Sequence, residues 1–160
     1  FGPVTEGDVR WWTGLGARPV RAALQEIEAV VVDLEGGREG YVAAGDLRRE
    51  ESAEGVVAML PGLDLTAMGW RDRDWYLGPH REALFDRNGN VGPTIWCDGR
   101  IVGGWGQRED ASIAHRLLED PGREASERIV EQADALAAWL DGTRVTPRFR
   151  TPLERELAAG

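Results

Sequence analysis

Apolar positions recur at helical spacing near both ends of the chain, and between them they gather into short β-branched runs. Thr5-Glu6-Gly7-Asp8 has the spacing of a capping box, in which a Thr side chain accepts from the backbone N–H three residues on. Val9, Trp11 and Trp12 follow as the apolar residues of a short helix, which Thr13-Gly14-Leu15-Gly16 breaks. Residues 17–27 form a second helix, with Val20, Leu24 and Ile27 on one face and Arg18, Arg21 and Gln25 on the other. Ala29 to Val32 is a strand, residues 35–40 are a turn, and Tyr41 to Ala44 return as a second strand.

A charged linker over residues 48–54 marks a shift in composition. Val56 to Leu60 is the next strand, stopped by Pro61-Gly62, and residues 63–92 are rich in Asp, Arg, Gly and Trp with one or two helical turns over residues 80–85. Thr94 to Cys97 and Arg100 to Trp105 flank Asp98-Gly99, a two-residue hairpin turn whose central positions need positive φ. Gly103-Gly104 predicts a bulge or bend in the second of these strands. Residues 113–118 extend the strand set. Residues 123–140 form a helix through Ile129, Ala133, Leu136, Ala137 and Leu140, and residues 143–150 are extended and interrupted by Pro147.

Helix, Gly-containing turn, helix and hairpin in that order is the skeleton of a winged helix-turn-helix. There the second helix can enter a major groove and the hairpin forms the wing. The first helix of such a three-helix module is missing and would lie before Phe1, which together with the absence of an initial Met points to a piece of a longer chain. The expected fold class is therefore α+β. A winged-helix domain spans 1–49, and a small antiparallel β-barrel-like domain spans 55–160 with a C-terminal helix at about 123–140. The same pattern also suits a plain α+β packing unit with a soluble Arg-bearing surface, and that reading stays open here.

Composition narrows the function classes. No run approaches the roughly 18 apolar residues of a membrane span, and no basic segment leads into an apolar one as in a signal peptide. The single Cys97 excludes an internal disulfide framework, so the expected compartment is the cytoplasm. The net charge is −9, and all 19 basic residues are Arg. That balance argues against coating nucleic acid through the overall field, but it leaves room for a local basic surface.

The chemistry-bearing residues are sparse. His80 and His115 are isolated, and no metal site is assigned to them. Asp86 to Asn90 superficially suggests a calcium loop, but Val91 and Cys97 stand where Gly and Glu are needed; a tight turn at Asn88-Gly89 accounts for it. Cys97, beside Trp96 in a strand, reads as an inert buried thiol. The motifs of nucleophilic hydrolases, P-loops and dinucleotide folds are absent. Asp72, Asp74 and Asp86 each stand next to an Arg and read as ion pairs rather than acid–base groups. Trp70-Arg71-Asp72-Arg73-Asp74-Trp75 interleaves Arg with Trp. This is either a phosphate-contacting and base-stacking segment or a Trp-packed loop with Arg–Asp pairs outside.

Several ordered segments then carry a resemblance. They are Leu60 to Asp64, Met68 to Arg73, His80-Arg81, Phe85 to Asn90, Gly92-Pro93-Thr94 and Asp98 to Gly103, preceded by Phe1 to Thr5 and Trp11 to Leu15. Together they resemble the C-terminal part of the bacterial winged-helix DNA-binding proteins that include the AlkZ-type DNA glycosylases, over nearly the whole chain. The resemblance implies tandem winged helices and a small β-barrel-like C-terminal region. It also implies metal-free excision of bulky alkylated purines and unhooking of interstrand crosslinks. Catalysis in such proteins is assigned to a Gln-x-Gln or Gln-x-Asp motif in an N-terminal winged helix. Gln25, Gln107 and Gln132 are read as lying outside such a motif, so the catalytic element is expected to be absent here. No catalytic residue, metal or cofactor is assigned.

The expected partner is double-stranded DNA, with no membrane. Arg18, Arg21 and Gln25 on the second helix and Arg38 on the wing are the first candidates. Arg71, Arg73, Trp75, Arg100 and Arg148, with Arg144 and Arg150 beside the last, are secondary ones. The competing expectation is a structural or protein-interaction module that kept the fold without the DNA surface.

Overall fold

The computed structural model describes residues 2–47 and 54–160, so the expected linker lies almost wholly outside the described residues. The chain divides into two compact units, Phe1–Ser52 with Gly69–Asp72, and Ala53–Met68 with Arg73–Gly160.

In the first unit, Thr5 caps α1 (Glu6–Thr13) with the expected reciprocal pair. The Asp8 N–H donates to Thr5 Oγ1 at 3.1 Å and the Thr5 N–H donates to Asp8 Oδ2 at 2.9 Å. Gly14, at φ 68°, ends the helix in the left-handed region that glycine tolerates. Helix α2 (Ala17–Glu26) buries Val20 and half-buries Leu24. Strands β1 (Val30–Leu34) and β2 (Arg38–Val42) pair antiparallel, with Leu34 opposite Arg38. The second strand thus begins earlier than the pattern predicts, because Glu35, Gly36 and Gly37, the two glycines at φ 77° and 71°, complete the reversal in three residues. Val4 adds a bridge to Tyr41 through two backbone hydrogen bonds. The 69–72 segment is tied to α1. Trp12 Nε1–H donates to the Gly69 carbonyl at 2.7 Å, and the Arg71 N–H donates to Asp8 Oδ1 at 2.8 Å.

The second unit is built on one antiparallel sheet in the order β3 (Val57–Leu60), β4 (Thr94–Cys97), β5 (Arg100–Gln107), β6 (Ile113–Leu117). Asp98 and Gly99, at φ 48° and 79°, make the predicted tight turn between β4 and β5. The predicted irregularity falls at Val102: Trp96 faces Ile101 and Ile95 faces Gly103, so Val102 is the extra residue of a bulge. Gly103 and Gly104 serve a different purpose. A side chain on Gly103 would strike the Arg116 carbonyl of β6, and one on Gly104 would meet Leu153 Cδ2 at 2.8 Å.

Helices cover both faces of this sheet. Ala125 and Ile129 of α6 (Arg123–Leu140) pack on Ile95, Cys97 and Val102. Short helices α3 (Leu65–Met68), α4 (Asp74–Leu77) and α5 (Arg81–Leu84) precede β4. On the sheet's other face Tyr76 of α4 stacks on Trp96 at 5.3 Å. Leu84 of α5 and Leu153 of α7 (Pro152–Ala159) close over Gly104. The result corrects the barrel-like expectation: no closed barrel exists among the described residues. β3 and β6 stay unpaired edges because helices, rather than a further turn of sheet, bury the two faces. Helix α7 also lies beyond the predicted elements. Thr151 stands at its N-cap, Pro152 opens it, and Leu153 and Leu157 form its buried stripe.

Candidate nucleic-acid interface

Helix α2 presents Arg18, Arg21 and Gln25 to solvent, because Val20 and Leu24, one helical turn apart, take the inward positions. Arg21 and Gln25 also line a shallow depression of about 570 Å3 whose other side is Val31 and Tyr41 of the hairpin. Arg21 is not free: its Nε–H donates to Glu6 Oε2 at 2.7 Å, and that bond raises its already high pKa. Arg38 opens β2 beside the hairpin turn, 4.0 Å from the Asp72 carboxylate. Arg71 is exposed, with its backbone held by Asp8. The first unit therefore gathers Arg18, Arg21, Gln25, Arg38 and Arg71.

The remaining candidates lie on the second unit. Arg73 is 6% exposed, with its guanidinium 5.1 Å from the Phe85 ring centre, so its positive charge is turned inward. Trp75 is exposed, and its carbonyl accepts from Arg100 Nη1 at 3.3 Å. Arg148 lies over Phe149 at 5.6 Å, at an apolar cavity in the same unit.

Sequence spacing left His80 isolated, but the fold does not. Its Nε2 lies 3.7 Å from Glu119 Oε1, and the same oxygen is 3.8 Å from Arg100 Nη2. His80 Nε2 and Glu119 Oε1 are both buried without a hydrogen-bond partner among the described residues. Nothing in the spacing of His80, Arg100 and Glu119 signals this cluster: His80 precedes α5, Arg100 opens β5 and Glu119 follows β6.

The glutamines need one correction. Gln132-Ala133-Asp134 does have the literal Gln-x-Asp spacing, contrary to the reading of all three glutamines as outside it. The two residues sit on α6, where positions two apart point roughly 200° apart. Both are exposed, so they do not converge on one atom. Gln107 is committed to structure: its Nε2–H donates to the Thr143 carbonyl at 2.9 Å and its Oε1 accepts from the Val145 N–H at 2.9 Å. Gln25 is the glutamine on the candidate surface. Burial pushes the Cys97 thiol pKa up, with the Asp98 carboxylate adding to it, which keeps the sulfur protonated and unreactive. Among the described residues no group of three or more His, Cys, Asp or Glu side chains is placed to hold a metal ion, and no helix is long and apolar enough to cross a membrane.

Comparison with known proteins adds two findings. The family described as DNA glycosylase AlkZ-like matches residues 1–139. The solved structure of Streptomyces sahachiroi DNA glycosylase AlkZ is similar in fold, with a TM-score of 0.70 at 23% identity. That match covers 86% of this chain and 40% of the other, so the chain spans well under half of that protein's length. No curated protein matches the chain.

Proposed function

The chain belongs to the AlkZ-like DNA glycosylase family, and from that premise we propose that it is a duplex-binding C-terminal portion of a bacterial, cytoplasmic DNA-repair glycosylase. Its helix α2 lies against DNA and its β1–β2 hairpin acts as the wing of a winged helix. The lesions are bulky alkylated bases or crosslinks, and the group that positions the attacking water belongs to a part of the protein outside this chain. The observation that carries the reading is the exposed Arg18–Arg21–Gln25 face of α2 in the order helix, glycine turn, helix, hairpin. Arg guanidinium groups supply phosphate contacts, and a glutamine amide can pair with a base edge. Arg38 and Arg71 extend the surface, and Trp75 with Arg100 is a secondary contact. Arg73 is buried and Arg148 borders an apolar cavity, so neither is a first choice.

The net charge of −9 favours a second reading, an interaction module without DNA contact. Fluorescence anisotropy of this chain with a labelled duplex at two salt concentrations separates them. Phosphate contacts release counterions, so binding that weakens steeply with salt supports the DNA reading. No binding at low salt favours the module.

A further inference from the structure

The second unit carries an apolar cavity that plays no part in the DNA-binding proposal. Its volume is about 680 Å3, within the range of sites that take small organic molecules. The lining comes from the sheet (Met59, Trp105), the C-terminal end of α6 (Leu136, Trp139) and the extended segment after it (Val145, Phe149). The cavity is a built feature, because Gln107 spends both ends of its amide on Thr143 and Val145 and so fixes that segment across it.

Three charged groups decide what it would accept. The Glu154 side chain is 4% exposed and takes the Nε–H of Arg150 at 2.7 Å, so these two charges offset each other. Arg148 lines the same cavity, is exposed, and is in no ion pair among the described residues. Its guanidinium lies over the Phe149 ring, which leaves its N–H groups available at the edge. A lining of indole and phenyl rings, with Trp105 half-buried and Trp139 and Phe149 exposed at the mouth, and one uncompensated cation at its border suits a flat, apolar molecule bearing one anionic group. We propose that this cavity binds a small aromatic acid, with its ring against Trp105 and Trp139 and its anionic group on Arg148.

The test is a fluorescence titration with 8-anilinonaphthalene-1-sulfonate beside its uncharged parent N-phenyl-1-naphthylamine, on the wild type, Arg148→Ala and Val145→Trp. The sulfonate saturates the wild type; Arg148→Ala weakens it about ten-fold, as loss of a charge-assisted contact should, and leaves the uncharged compound unchanged. Val145 is 60% exposed, so a larger ring there tests access without cutting into the core; Val145→Trp blocks both compounds. Trp11 and Trp12 of the first unit are also exposed, so the site is assigned by the indole N–H resonances of Trp105 and Trp139, which shift with the same midpoint as the fluorescence. Two results overturn the proposal: an equal effect of Arg148→Ala on both compounds, or unmoved Trp105 and Trp139 resonances at saturation. If Val145→Trp loses the wild-type circular dichroism, the wild-type resonances and Arg148→Ala still decide.

Discussion

Glu6 Oε2 takes the Nε–H of Arg21 at 2.7 Å, so the first turn of α1 holds the central cation of α2. The pair is a structural tie, and under the proposed DNA contact it is also a brake on anion binding, since a phosphate would compete with a carboxylate already in place. Glu6→Gln removes that competitor and one negative charge. The expected result is a duplex affinity higher by about three- to five-fold at low salt, the difference fading as salt screens it. Anisotropy titration of wild type and variant checks it; an unchanged affinity would place Arg21 away from the phosphates.

Asp8 does more than complete the Thr5 cap. It is 2% exposed. One oxygen accepts from the Thr5 N–H and hydroxyl at 2.9 and 2.7 Å, and the other from the Arg71 and Asp72 N–H groups at 2.8 and 3.3 Å. Asp8→Ala strands these donors and should cost about 2–4 kcal/mol. Urea unfolding followed by tryptophan fluorescence measures it; a cost below about 1 kcal/mol, the size of an ordinary cap, would show that the tie to residues 71–72 contributes nothing.

The loop from Asp86 to Asn90 gives a pH dependence with a fixed sign. Asn90 donates to the Asp86 carboxylate through its side chain, and the backbone N–H groups of Asn88 and Asn90 donate as well. These bonds hold the carboxyl pKa below its ordinary 3.8. The stabilisation is therefore complete above that ordinary value and is lost as pH falls through the lower folded value. Asp86→Ala should melt at a lower temperature than wild type at pH 7, and the gap should close below about pH 4. Thermal melts across that range test it, and a gap independent of pH would contradict it.

Gly103 faces Leu117 in the β5–β6 ladder. A Cβ there would collide with the Arg116 carbonyl, a backbone atom that cannot swing aside. Gly103→Ala should destabilise the second unit by about 2 kcal/mol or more, whereas Gly89→Ala, in open space but at φ 86°, should cost only about 1 kcal/mol. Chemical denaturation of the two variants compares them directly; an equal cost would mean that β5 and β6 can separate to admit a methyl group.

The legible parts of this fold are the local ones. The Thr5–Asp8 box and the Asp98-Gly99 turn are set by residues within three positions of each other, and both form as read. The long helix shows itself by its period, and Arg123–Leu140 has the predicted bounds. What was hidden depends on partners far along the chain. Nothing local says that Asp8 will also hold Arg71, or that Glu119 will come to His80. The barrel expectation failed for the same reason: alternation within strands shows that a sheet exists but not whether its edges meet. Helix α7 went unread, although Thr151-Pro152 followed by Leu153 and Leu157 is a start signal with a buried stripe. On the surface, sequence spacing groups Arg18, Arg21 and Gln25 but cannot show that Arg73, among the same charged residues as Arg71, is turned inward over Phe85.

The most direct test of the central claim is the salt-dependent affinity of this chain for a labelled duplex, measured for wild type, Arg18→Glu/Arg21→Glu and Arg123→Glu. Arg123 is exposed on α6 and serves as the control for a single charge reversal on the second unit. The account predicts that the double variant loses at least about ten-fold in affinity and has a shallower salt slope, by about one to two phosphate contacts. The Arg123 variant should stay within about two-fold of wild type. Equal losses in the two variants, or wild-type binding indifferent to salt, would contradict the assignment of α2 to the DNA.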